Sequence, residues 1–357
     1  MTSQERISKV LAGEIPDRVP LCEICFWPQT VERWKKEGLP EDIAPLDYFE
    51  MDHISGISFD GTFQLPVKVL EDTIEYRIET DGYGRTLKVW KGETYSPPNQ
   101  VDHILKEKKD WEELKQKLVP TKERIPKEMK TTYENLRKRR DFVYLSPDEP
   151  CWFVLERTMG FESGLPKMVE EPDLIKDMID THTGFILKMC EICIKEGMKP
   201  DAIWLSSDLC YKNGMLFSPR TYRALVMPSL VRIKQFCREQ RLFLIYHCDG
   251  NVKEFLPLLI EVGVDAIQPL EARAGNDVRI YKKQYDNKIT FFGNISADIL
   301  SLDKEKIREE VESKVSIAKE RGGYIFHSDH SVPPSVSFQN YKFAVETARE
   351  IGKYGNF

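Results

Sequence analysis

Leu242–Asn251 reads LFLIYHCDGN, with nothing charged from Leu242 to Tyr246 and His247, Cys248, Asp249 and Gly250 following at once. A short continuous apolar run reads as a strand buried on both faces. Ligand-type side chains at its C-terminal end, closed by glycine, read as the lip of a site. Seven further runs repeat the pattern: Val19–Ile24, His53–Phe59, Phe142–Ser146, Ala202–Leu205, Asp265–Leu270, Ile289–Phe292 and Tyr324–Phe326. Helical stretches separate most of them, including one that Ser218 caps with Pro219 in its first turn. Eight strands alternating with helices predict an α/β fold, a (β/α)8 TIM barrel. A doubly wound sheet is the competing architecture, and no GxGxxG or P-loop follows any strand to favour it.

Between Val67 and Val101 the pattern changes to alternating apolar and polar residues around Asp81-Gly82-Tyr83-Gly84, the signature of an antiparallel hairpin excursion. The charged stretch 106–140 that follows carries helical spacing and balanced signs, as a solvated surface does. The expected organisation is one barrel domain over residues 1–357 with an insertion at about 67–140. A net charge of −6 disfavours nucleic acid or an anionic membrane as partner. No run approaches a membrane span and the N-terminus lacks a signal-peptide core, so a cytoplasmic protein is expected. Eight cysteines in 357 residues do not make a disulfide framework. Two CxxC pairs exist, Cys22/Cys25 and Cys190/Cys193, and a four-thiolate zinc site is one reading of them. The other reading places Cys190 and Cys193 on the buried face of a helix and points Cys22 and Cys25 to opposite sides of a strand.

A barrel places its active site at the C-terminal ends of its strands. Those ends carry Asp60, Ser146/Asp148/Glu149, Ser206/Asp208, His247/Asp249, Glu271, Asn294 and His327/Asp329/His330. His247, Asp249, Glu271 and His330 offer imidazole and carboxylate donors suited to zinc or another divalent metal. Asp208, His247 and His330 are the candidate catalytic residues. The alternatives are a core histidine bonded to a carbonyl for His247, a helix cap or Asx-turn for Asp249, and a turn acid for Asp208. Trp27, Asp60, Ser206, Tyr246 and Asn294 are the candidate substrate contacts, the aromatics suiting a planar ligand or else a plain core. Cys248 follows His247 directly, and strand neighbours point apart, so the two are no catalytic pair.

The sequence resembles the uroporphyrinogen decarboxylase superfamily, which includes corrinoid-linked methyltransferases. The resemblance lies in PDRVP at 16–20, DAIWLSSDLCYKNGMLFSPRTYR at 201–223, YHCDGNVKEFLPLLIEVGVDAIQPLEARAG at 246–275, FFGNIS at 291–296 and GGYIFHSDHSVPPSVSFQNY at 322–341. It implies a (β/α)8 barrel. True decarboxylases carry an RxPVWxMRQAGR motif whose later arginines face the tetrapyrrole propionates. With Arg18 on the first arginine, Cys25 and Gln29 occupy those positions here. Thiol-directed methyltransferases of the superfamily hold zinc by an HxC pair and a later cysteine before Pro-Pro. Here the corresponding residues are His247, Asp249 and His330.

Fewer thiolates leave a metal more Lewis-acidic and better matched to an oxygen leaving group. The resemblance thus implies a metal-dependent methyltransferase, acting on a small methylated donor such as a methoxylated aromatic. The chain has no DxHxxG motif, so the corrinoid is expected on a partner protein. A homodimer fits the family habit. Uroporphyrinogen decarboxylase and a non-catalytic small-molecule-binding barrel are the alternatives.

Overall fold

The computed structural model describes residues 1–92 and 98–355. Its strands are β1 (Ile54–Ile57), β2 (Val69–Asp72), β3 (Tyr76–Thr80), β4 (Thr86–Trp90), β5 (Asn99–Asp102), β6 (Phe142–Leu145), β7 (Ala202–Ser206), β8 (Cys210–Tyr211), β9 (Gly214–Met215), β10 (Phe243–Cys248), β11 (Ala266–Pro269), β12 (Thr290–Phe292) and β13 (Tyr324–Ile325). Seven of them form one sheet in the order β1-β6-β7-β10-β11-β12-β13, and every adjoining pair is parallel. This is the expected barrel with one stave altered. Val19–Ile24 is not a regular strand, although it spans the gap between the sheet's edges. Cys22 N donates to Phe326 O at 3.0 Å and Phe326 N to Pro20 O at 2.9 Å, while Asp52 N donates to Leu21 O at 2.6 Å on the other side. The irregularity has a local cause. Pro20 has no N–H to give, and the Asp52 carboxylate, paired with Arg18 at 2.6 Å, takes the Leu21 N–H at 2.9 Å.

Strand parity sorts the core into two sets. Phe142, Ala202, Trp204, Ile245, Ala266, Phe292 and Ile325 cluster inside the barrel, with Tyr144 and Phe243 packed against them. Val143, Leu145, Ile203, Leu205, Leu244, Tyr246, Ile267, Phe291 and Tyr324 belong to the other, larger cluster under the helices. Both faces are apolar, which is why the strands read as unbroken hydrophobic runs. The helix Ser3–Leu11 adds Ile7, Val10 and Leu11 to the inner cluster and so plugs one end. Thr2 and Glu5 cap that helix reciprocally.

The excursion forms a four-stranded antiparallel sheet, β2-β3-β4-β5, whose outer strands are exposed along their whole length. Asp81 shapes its hairpin by accepting the N–H groups of Tyr83 at 3.0 Å and Arg85 at 2.9 Å. Residues 93–97 of the expected excursion lie outside the described residues. The helices Pro28–Glu37 and Phe161–Glu170 flank the barrel, and between β6 and the second of them a short turn, Pro150–Trp152, runs into a π-helix, Phe153–Met159. Cys190 and Cys193 are buried on the helix Pro172–Lys195, Cys22 is buried and Cys25 exposed, and all eight cysteines are free. Among the described residues, no helix is long and apolar enough to cross a membrane.

Candidate active site

Register brings the site together. His247 on β10 pairs with Ser206 on β7 and with Gln268 on β11, so the three stand side by side at the strands' C-terminal ends. Parity turns His247 inward with Phe243 and Ile245. Gln268 Oε1 lies 2.5 Å from His247 Nδ1, which leaves Nε2 facing Asp208 Oδ1 at 3.6 Å. Asp208 also accepts the Asp249 N–H at 3.2 Å. Donor atoms of Asp208, His247 and Asp249 all lie within 4.8 Å of one another.

The electrostatics of this trio follow from two carboxylates beside one imidazole. Burial opposes charge on His247, but the nearby carboxylates of Asp208 and Asp249 and the Gln268 hydrogen bond overrule it and raise its pKa. Burial likewise opposes ionisation of Asp208, which the neighbouring His247 and the Asp249 N–H outweigh, so its pKa is lowered. Asp249 is left with the deficit. Burial and the neighbouring Asp208 raise its pKa, and its buried Oδ1 has no hydrogen-bond partner among the described residues.

The trio borders two adjoining cavities. The first, of about 220 Å³, includes Cys25, Tyr144, Trp204, Ser206, His247, Asp249, Gln268, His327 and His330 in its wall. Tyr144 and Trp204 lie 4.8 Å apart, tilted by 33°, and form an aromatic side. The second, of about 350 Å³, is walled by Asp148, Trp152, Arg157, Ser207 and Asp208 among others. Ser146, Ser206 and His247 belong to both walls.

Of the residues singled out from sequence, Asp208, His247, Asp249, His330 and Ser206 meet at these cavities. His330 stands in the first cavity's wall, and its charge bears on Asp208 and Asp249. It is not part of the gathered trio. Five others are placed elsewhere. Glu271 commits both oxygens to the protein, accepting Gly250 N at 2.9 Å and Arg273 Nε at 2.8 Å. Asn294 is fully buried as a bracket, accepting Val278 N and donating to Leu270 O and Asn276 O. Tyr246, one residue from His247, points to the opposite face and is fully buried with its hydroxyl on Ser207 at 2.7 Å. Trp27 precedes the helix Pro28–Glu37, its N–H on Val332 O, outside the first cavity's wall. Asp60 closes an Asx-turn by accepting Thr62 N at 2.9 Å and lines a third cavity with Asp148.

Several residues of the site escaped sequence reading. Gln268 sits inside an apolar strand, and only its register opposite His247 gives it meaning. Tyr144 and Trp204 share His247's parity class, a signal that was available. His327, already placed at a strand end by the sequence, pairs through Nε2 at 2.8 Å with the buried Glu23, which the sequence did not single out. Ser328 Oγ at 2.7 Å and Tyr341 OH at 3.1 Å hold the other Glu23 oxygen. The pair joins the irregular first stave to β13.

The trio fits a divalent metal. One nitrogen and two carboxylate donors converge, the imidazole is oriented by an amide behind it, and a buried carboxylate oxygen has no partner among the described residues. His247, Asp208 and Asp249 would hold the ion, with His330 on the facing wall.

Comparison with known proteins gives three findings. The chain is 34% identical over 96 residues to the uroporphyrinogen decarboxylase of Hydrogenobaculum sp. (strain Y04AAS1), a match spanning 27% of this chain and only 26% of that protein's length. Its fold is similar to that of a methyltransferase from Methanosarcina mazei, at a TM-score of 0.66 and 16% identity over 98% of this chain and 99% of the other. The model of the family described as Uroporphyrinogen decarboxylase (URO-D) matches residues 79–351, about three quarters of the chain. That match takes in the trio and His330, and the chain accordingly belongs to the uroporphyrinogen decarboxylase family.

Proposed function

We propose that this protein is a metal-dependent methyltransferase that takes a methyl group from a small methoxylated aromatic and passes it to a Co(I) corrinoid on a partner protein. The observation that most supports it is the donor set: Asp208, His247 and Asp249 converge without a thiolate beside an aromatic-sided cavity. Nitrogen and carboxylate donors keep a divalent ion hard and Lewis-acidic. When bound, such an ion supplies positive charge that eases departure of an ether oxygen. Gln268 fixes the imidazole ring, Asp208 and Asp249 hold positive charge at the cavity wall, and Tyr144 with Trp204 offer flat apolar faces to a ring.

The first cavity's wall contains no lysine or arginine, and Cys25 stands in it where the decarboxylase motif has an arginine. A tetrapyrrole with eight carboxylates needs such cations. Methyl transfer is the better match.

Incubation with cob(I)alamin and a panel of methoxylated aromatics tests the proposal, with methylcobalamin formation read by absorbance. Methylation that falls by about a hundredfold or more in His247→Ala is expected. Conversion of uroporphyrinogen to coproporphyrinogen, with no methyl transfer, would instead establish the decarboxylase.

A further inference from the structure

At the end of the barrel that the helix Ser3–Leu11 plugs, opposite the site, a cleft of about 470 Å³ opens beside the starts of β7 and β10. Its wall holds three cations, Arg137, Lys199 and Arg241, against one acid, Asp201. In a chain of net charge −6 that is a local reversal of sign. One of the cations is fully committed. Arg137, on the helix Met129–Arg139, gives Nη1 to Asp201 at 2.5 Å, Nη2 to Lys199 O at 2.7 Å and Nε to Tyr133 OH at 3.2 Å. Asp201 is committed too, accepting Gln4 Nε2 and Val143 N, each at 2.8 Å. These bonds build a fixed wall and leave no carboxylate over for the other two cations. Cations beside helix ends often serve to bond the terminal carbonyls. Arg137 does so for Lys199 O, whereas among the described residues the Lys199 ammonium and the Arg241 guanidinium bond neither a carbonyl nor a carboxylate. The Ser8 hydroxyl and the half-buried rings of Tyr133 and Phe243 complete the wall.

We propose that this cleft is a second binding site, for a small phosphate monoester that carries a flat organic group. A phosphate dianion brings two charges and several acceptor oxygens. Lys199 offers a compact ammonium and Arg241 a planar fork, the two kinds of cation that phosphate takes, and Ser8 adds a hydroxyl donor. Phe243 and Tyr133 give the organic group apolar surface to lie against. The recess between two helices admits a free small molecule, and the chain's overall negative charge repels a nucleic acid. The cleft stands at the starts of the two strands that end in Ser206 and His247, and the proposal does not depend on the methyl-transfer reading.

Isothermal titration calorimetry of the full chain with phenyl phosphate, and with inorganic phosphate beside it, tests the proposal. Phenyl phosphate is expected to bind with a Kd of about 1 mM or tighter, and more tightly than inorganic phosphate. Combining Lys199→Ala with Arg241→Ala should weaken it at least about tenfold. Both side chains are exposed, so thermal unfolding of that variant should match wild type. His247→Ala should bind phenyl phosphate as wild type does, which separates the cleft from any phosphate held at the trio. Lys283→Ala, which removes an exposed cation outside the cleft, should also leave binding unchanged. No binding at about 10 mM, or phenyl phosphate held no more tightly than inorganic phosphate, overturns the proposal. So does binding that survives the double substitution, or that Lys283→Ala weakens as much.

Discussion

His182 shows how one side chain sets a pH limit on the fold. It is fully buried on the helix Pro172–Lys195, stacked on Phe153 at 3.8 Å, and neither ring nitrogen has a partner among the described residues. Burial pushes its pKa down from 6.5 to about 4. Below about pH 6.5 the unfolded chain takes up a proton that the folded chain refuses. The stability this group permits is therefore fully present above pH 6.5 and lost as pH falls toward 4. His182→Leu removes both the unpaired nitrogens and the titration. Denaturant unfolding should find it about 1–3 kcal/mol more stable than wild type at neutral pH, with the gap widening at pH 5. A variant less stable at both values would mean that the stacked ring contributes more than its unpaired nitrogens cost.

At the scale of elements, the joint between β11 and β12 leaves less room for a side chain than any other glycine position described. Gly293 has φ +134°, and a Cβ there would lie 1.8 Å from Pro269 O. Gly293→Ala should lower stability by about 3 kcal/mol or more, read by thermal or denaturant unfolding. Wild-type stability in that variant would show that the joint can relax.

Seven of the eight strands were legible, six of them because their runs are apolar on both faces, whereas β1 is weaker and broken by Gly56. The first stave was over-read. Its apolar residues do lie between the sheet's edges, but Pro20 and the Asp52 carboxylate replace the ladder, and no hydropathy pattern records that replacement. In the site, His247 and Asp249 were legible because ligand-type residues at a strand end stand out against the run before them. Tyr246 was misplaced although parity already set it against His247. Glu271 and Asn294 are polar at strand ends for loop bracing, which residue type does not distinguish from catalysis. Gln268 acquires its role only from register across two strands, 21 residues apart in sequence.

For the whole molecule, burial makes the cysteines a chemical probe of the cavity. Only Cys25 of the eight is exposed, and it lines the first cavity beside His330. Titration of the native chain with a thiol reagent should find one fast-reacting thiol, abolished by Cys25→Ser and slowed by a ligand that fills the cavity. Several fast thiols would contradict the described packing. On the proposed mechanism Asp208, His247 and Asp249 together hold a divalent metal, which elemental analysis after metal-replete purification reads out. About one ion per chain is predicted for the wild type and for Glu271→Ala, whose oxygens are committed to Gly250 and Arg273, and none for His247→Ala or Asp249→Ala. A metal-free wild type, or an ion retained after His247→Ala, would rule out a metal held by this trio.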